Sequence, residues 1–163
     1  MEAKTKDKNK IALCCASGGH YDEMMVIIKG LRYLNKFLVV SRSFSNREED
    51  DSDIQKYYVI DYGDTNFIRK IYKLCILFFQ NIWIFYKEKP NVVITTGPAT
   101  GLILSILVRS IGGKVVFIEC SAQVERPSIS GRLYYHIAHK FFVQWSPLLK
   151  YYPKAIYKGQ LLR

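Results

Sequence analysis

The chain is 163 residues long, room for one domain with a true core. Apolar residues make up 49%, which excludes a disordered chain, and a formal net charge of +10 points to an anionic partner: nucleic acid, anionic lipid or a phosphorylated substrate. The four cysteines, Cys14, Cys15, Cys75 and Cys120, lack C-x-x-C spacing and sit in apolar contexts, which excludes a zinc or disulfide frame and reads as buried free thiols of a reducing compartment.

Residues 1–9 are polar and lysine-rich, with no apolar segment behind them. They read as a disordered basic end without a signal peptide, ahead of a single domain over residues 10–163. Residues 11–15 are an apolar run that reads as a buried first strand. Ala16-Ser17-Gly18-Gly19-His20 follows, and residues 21–34 then carry Met24, Met25, Ile27, Ile28, Leu31 and Leu34 at helical spacing. A strand, a glycine turn and a helix open a doubly wound α/β domain. The two glycines let a ligand approach the backbone, and the helix start offers it free N–H groups and a positive dipole end. The pattern is neither G-x-G-x-x-G nor a P-loop.

Residues 37–40 read as the second strand and 57–60 as the third. Between them, Asp51-Ser52-Asp53 matches the Asp-x-Asp of metal-dependent sugar transferases in letters, but it lies in a charge run with no flanking strand and reads as a solvated loop. Residues 66–89 form a long apolar helix, with Asn66 as its cap and Pro90 as its stop. Its uncharged run is only 74–86, shorter than the ~20 apolar residues of a spanning helix. Arg69, Lys70 and Lys73 flank one end, and Phe67, Phe78, Phe79 and Trp83 are large apolar or interfacial groups. A helix lying on a membrane surface fits; a core helix covered by a partner subunit is the alternative.

Residues 91–95 read as a fourth, central strand, followed by Thr96-Gly97-Pro98-Ala99-Thr100-Gly101 and an apolar helix over 102–111. A fifth strand at 114–118 leads directly into Glu119. An irregular segment with Glu125 and Arg126 precedes a helix through His139, which Ser128 or Ser130 can cap. His136 and His139 share a face of that helix with no third ligand in view, so they read as packing or surface residues. Residues 140–144 and 155–157 read as sixth and seventh strands. The fold class is therefore α/β, a doubly wound, mostly parallel, Rossmann-like sheet with two glycine loops at the carboxyl ends of its strands.

Ser17-Gly18-Gly19-His20, Asn91-Val-Val-Ile-Thr-Thr-Gly97, Phe117-Ile-Glu119, Arg126-Pro-Ser-Ile-Ser-Gly-Arg132, Val143-Gln-Trp145 and Tyr152-Pro-Lys-Ala-Ile-Tyr157 occur in that order. In order and spacing the chain resembles the PssD/Alg14 type of oligosaccharide-biosynthesis protein, from about Lys10 onward. These are acceptor-side halves of split glycosyltransferases. The resemblance implies the fold of the amino-terminal half of a GT-B enzyme. It also implies a second polypeptide carrying the nucleotide-sugar domain, a polyprenyl-diphosphate-linked saccharide as acceptor, and a place on the cytoplasmic face of the plasma membrane. In bacteria such pairs serve capsule or exopolysaccharide synthesis. Eukaryotic members usually begin with a membrane-spanning helix, so the sequence favours a bacterial origin, with residues 66–89 as the membrane element.

On that likeness His20 and Glu119 are the expected catalytic residues. In related lipid-linked sugar transferases the first glycine loop carries a His and the fifth-strand segment a Glu. The ordinary titration range of histidine suits proton transfer near neutrality, and either group can be the base of an inverting transfer. Ser17, Gly18, Gly19, Thr96, Gly97 and Gly101 are expected to cradle the acceptor diphosphate, and Arg126 to grip it with its guanidinium fork. No metal and no cofactor are expected. The donor is a UDP-sugar held mainly by the partner, and Tyr151, Tyr152 and Tyr157 of the tail over 151–163 are expected to meet that partner.

A lone nucleotide-binding enzyme would place a carboxylate after the second strand, where Ser41-Arg42-Ser43 stands instead. Nucleic acid is not expected, because the basic residues cluster around the apolar helix, where anionic lipid accounts for them. A recruitment scaffold with no catalytic residues of its own is the remaining alternative.

Overall fold

The computed structural model describes residues 9–42, 54–61, 63, 66–97 and 99–162. The basic end over 1–8 and Asp51-Ser52-Asp53 lie outside the described residues. The elements run β1 (Ile11–Cys15), α1 (Gly19–Gly30), β2 (Lys36–Arg42), β3 (Lys56–Ile60), α2 (Phe67–Glu88), β4 (Val92–Thr95), α3 (Leu102–Ser110), β5 (Lys114–Ile118), α4 (Ile129–Ile137), β6 (Lys140–Val143) and β7 (Ile156–Tyr157). Short 3-10 turns at Ala99–Gly101 and Ser146–Lys150 complete them.

The strands pair in parallel in the order β3-β2-β1-β4-β5-β6-β7. Strand order reverses between β1 and β4, so the crevice beyond their carboxyl ends is the topological switch point where such sheets take ligands. Every residue of β1 is buried, because helices cover both faces of the sheet. Ala12 and Cys14 enter the core beneath α2 and α3 with Phe37, Leu77 and Leu104. Ile11, Leu13 and Cys15 enter the core beneath α1 with Met24 and Ile28. Period-2 alternation thus sends the neighbouring thiols to opposite faces. Burial pushes the Cys14 thiol up to about 12 and that of Cys15 higher still. Cys75, expected to be buried, is exposed on α2.

Helix α1 begins at Gly19, two residues earlier than its apolar spacing predicts, and ends at Gly30. The Leu31 N–H is shared between the carbonyls of Ile27 and Ile28, a bifurcated ending that turns the chain before Asn35. Asn66 caps α2 as expected, its side chain accepting from the N–H groups of Ile68 at 3.0 Å and Arg69 at 3.3 Å. One narrow stripe of α2 (Leu77, Asn81, Ile84 and Glu88) is buried. Glu88 at its end is paired with Lys10 and accepts from the Tyr57 hydroxyl, which ties α2 to the base of β1 and to β3. Among the described residues no helix is long and apolar enough to cross a membrane.

Candidate active site

Two glycine loops meet at the switch point. At the end of β1 the chain turns through Gly18 at φ 78°, which only glycine adopts without strain. A Cβ at Gly18 or Gly19 would meet nothing within 4 Å, so this turn faces open space. Gly18 is also the N-cap of α1, and no side chain caps the helix there. The first amides of α1 are therefore available to an anion, beside a partly exposed Ser17 and His20.

The second loop supports the first instead of sharing its surface. Thr96 is buried; its hydroxyl donates to the His20 carbonyl at 3.2 Å and its N–H to the Cys14 carbonyl at 3.3 Å. Gly97 is buried too, its N–H on the Thr95 hydroxyl at 3.0 Å. A Cβ at Gly101 would come 2.5 Å from that of Cys14, so this glycine exists to seat the start of α3 against β1. Of the six residues expected to cradle a diphosphate, Ser17, Gly18 and Gly19 are open to a ligand. Thr96, Gly97 and Gly101 are buried, and of these Thr96 ties the second loop to the first.

Glu119 also differs from expectation. It is 1% exposed and lies beneath the amino end of α4. One carboxylate oxygen accepts from the Ser128 hydroxyl at 2.7 Å and the Cys120 N–H at 3.2 Å. The other accepts from the Tyr152 hydroxyl at 3.3 Å and the Ser128 N–H at 3.4 Å. Ser128 in turn caps α4, its hydroxyl accepting from the Gly131 N–H at 2.7 Å. A Cβ on Gly131 would lie 2.0 Å from the carboxylate. The carboxylate is thus packed against the dipole of a helix start and has no open face for substrate. Glu119 is an anchor for the segment over residues 119–131.

The tail splits along the same line. Tyr152 is 2% exposed, packed on Tyr135 and Phe141, and bonded to Glu119, so it is unavailable to a partner. Burial first, and the Glu119 charge second, push its hydroxyl far above the ordinary tyrosine value. Tyr151 and Tyr157 are both exposed. Arg126 is exposed, with no hydrogen bond or ion pair among the described residues. His136 is exposed, whereas the His139 Nδ1 accepts from the Val115 N–H at 3.1 Å, so the two make no common site.

A residue that spacing did not single out sits at the centre. Glu23 is completely buried. One of its oxygens accepts from the Ser121 N–H at 2.8 Å and from the Gln144 amide at 2.9 Å. The same Gln144 nitrogen donates to the Glu119 carbonyl at 3.0 Å, and its oxygen accepts from the Leu161 N–H at 2.8 Å. Gln144 therefore stitches α1, the end of β5 and the tail together. His20, Glu23 and Cys120 place a ring nitrogen, a carboxylate oxygen and a thiol sulfur within 4.8 Å of one another, donor types that a divalent cation also accepts. The sequence did carry a signal for Glu23: it falls four residues before Ile27, on the apolar stripe of α1.

On the outer surface, α2 presents Phe67 at 74% and Phe79 at 68% exposure, with Phe78 and Trp83 also exposed. Arg69 and Lys70 are exposed near its start, and Lys73 is half-buried. The Lys87 ammonium lies 4.5 Å from the centre of the Trp83 ring.

A family model for oligosaccharide biosynthesis proteins of the Alg14 type matches residues 11–161. The chain belongs to the Alg14 family. Its relatives include the UDP-N-acetylglucosamine transferase subunit ALG14 of Homo sapiens, 23% identical over 188 residues that cover 99% of this chain and 87% of that protein. The protein of the same name from Candida albicans is 29% identical over 175 residues, covering 94% of this chain and 78% of that protein. Among solved structures, MurG of Acinetobacter baumannii superposes with a TM-score of 0.69 at 16% identity, covering 94% of this chain and 46% of that one. A UDP-N-acetylglucosamine 2-epimerase from Rickettsia bellii gives a TM-score of 0.65 at 12% identity, covering 94% of this chain and 45% of that one. The Alg14-family chain thus has a Rossmann-like fold that covers a little under half the length of each of these longer chains, in keeping with the half-length GT-B fold expected from its motifs.

Proposed function

We propose that this Alg14-family chain is the acceptor-side, membrane-associated subunit of a two-polypeptide, inverting, UDP-sugar-dependent glycosyltransferase acting on a polyprenyl-diphosphate-linked saccharide. The observation that carries this reading is the open Gly18–Gly19 turn at the switch point, with His20 on the first turn of an uncapped helix. The amides at the start of α1 bind the acceptor diphosphate, and their fixed dipoles need no reorganisation to do so. His20 takes the proton of the attacking acceptor hydroxyl as the oxygen bonds to the anomeric carbon. UDP leaves from the opposite face with the electron pair of the broken C–O bond, so the configuration inverts. Glu119 contributes by holding α4 and the 119–131 segment in place.

The donor pocket belongs to a second subunit, docked where Tyr151 and Tyr157 are exposed. The names of the relatives make UDP-N-acetylglucosamine the first donor to try. The aromatic and basic outer surface of α2 holds the chain to the cytoplasmic face of an anionic membrane, which puts the open turn near a lipid-borne diphosphate.

The test is transferase activity on membranes containing this chain, the second subunit, or both, with a panel of UDP-sugars. Activity only with both supports the split enzyme and identifies the donor. Activity from this chain alone contradicts it.

A further inference from the structure

Two buried polar atoms at the start of α1 have no partner. His20 Nδ1 and Glu23 Oε2 are both inaccessible, and neither makes a hydrogen bond among the described residues. The two residues stand three apart on one helix and so share a face. Oε1 of Glu23 is held by Ser121 and Gln144, Oε2 is left without a donor, and the carboxylate lies within 4.8 Å of a ring nitrogen of His20. No cation is paired with Glu23 among the described residues, and a buried carboxylate left half-satisfied is costly.

We propose that Glu23 is the positioning carboxylate of His20: Nδ1–H donates to Oε2 and so fixes the tautomer that leaves Nε2 unprotonated for the acceptor hydroxyl. This rests on the reading of His20 as the proton acceptor. The imidazole is partly exposed, and a turn about its soft χ2 torsion within the 4.8 Å that spans the cluster is the movement this pairing needs. Cys120 makes the trio resemble a cation site, and burial foremost, with the charges of Glu23 and Glu119, pushes its thiol up. A cation would have to displace the thiol proton, whereas a proton shared between an imidazole and a carboxylate satisfies both orphaned atoms at once.

Glu23→Gln separates this role from simple packing. The oxygen of the substituted amide keeps the Ser121 and Gln144 donors, so its NH2 group takes the place of Oε2 and donates to Nδ1. That drives the ring proton to Nε2, the wrong nitrogen for a base. The expected result in the two-subunit enzyme is a fall in kcat of about 10²–10⁴-fold with the KM for acceptor nearly unchanged. The tautomer is read from the 15N shifts of the His20 ring in this chain alone, where His136 and His139 are the other two histidines. Wild type is expected to carry the proton on Nδ1 and Glu23→Gln on Nε2.

A wild-type ring protonated on Nε2, or a Glu23→Gln enzyme with wild-type kcat, overturns the proposal. If Glu23→Gln does not fold, the wild-type spectrum decides by itself. His20 ring shifts that change on chelation in the wild type but not in a Cys120→Ser chain also overturn it, in favour of a cation held by all three side chains. Because the spectrum needs no partner, the proposal can fail while partner-dependent transfer stands.

Discussion

Gly131→Ala is a substitution for which helix propensity and packing give opposite signs. Gly131 is in the first turns of α4, and propensity alone says that alanine stabilises it by about 1 kcal/mol. The structure says otherwise: the new Cβ would lie 2.0 Å from the Glu119 carboxylate, 2.6 Å from the Tyr152 hydroxyl and 2.9 Å from the Ser128 hydroxyl. None of these is the free end of a flexible chain, because each is bonded to another of the set. Relief requires the buried carboxylate to leave its donors. Disrupting a buried, hydrogen-bonded charge costs about 3–5 kcal/mol, so the net destabilisation is roughly 2–4 kcal/mol. In a chain of this size that lowers Tm by roughly 4–16 °C. Thermal melting of the purified chain measures it. Gly30→Ala is the control: it also replaces a helical glycine, nothing lies within 4 Å of its Cβ, and it is expected to raise stability by up to about 1 kcal/mol. A Gly131→Ala chain that melts at or above wild type refutes the account of Glu119 as a packed anchor.

Replacing both Arg69 and Lys70 by Gln removes two exposed charges from α2, at about 1 kcal/mol each near an anionic surface. Partitioning onto vesicles containing phosphatidylserine should weaken by roughly 30-fold at low salt; unchanged partitioning counts against the membrane face. Burial works to raise the Glu88 carboxyl, but hydrogen bonds from Lys10 and Tyr57 outweigh it and leave the group below its ordinary value of 4.5. A depressed native value contributes stability that is full above the ordinary value and is lost as pH falls through the native one. Urea titrations of wild type and Glu88→Gln should therefore converge as the pH drops below about 4.5, and a gap independent of pH contradicts the assignment. Tyr157→Ala, at an exposed position, should weaken capture of the second subunit without altering Tm, whereas Tyr152→Ala should lower Tm steeply because it empties a core site.

Much of the fold was legible from burial and punctuation. A strand buried on both faces reads as an unbroken apolar run, which is why residues 11–15 and 115–118 announce their strands in the sequence. Asn66 and Ser128 marked helix starts because a side-chain oxygen can satisfy an orphan amide there. What was not legible depended on contacts distant in the chain. Glu119 was rightly set on the sheet edge, but the side chain that covers it, Tyr152, lies 33 residues further on. Tyr151 and Tyr152 look alike in sequence and point to opposite fates, one exposed and one buried. Gly18 and Gly101 are the same letter in similar loops, yet one opens space for a ligand and the other makes room for Cys14. Glu23 falls on the apolar stripe of α1, and only the amides of Ser121 and Gln144 show why a carboxylate is buried there.

The measurement that tests the central claim most directly is the turnover of the assembled two-subunit enzyme with His20→Ala in this chain, in parallel with a pull-down showing that the complex still forms. A half-enzyme that supplies its own catalytic group predicts a fall in kcat of about 10²–10⁴-fold in an intact complex. Full activity from the His20→Ala complex would contradict it and reduce this chain to a membrane scaffold for its partner.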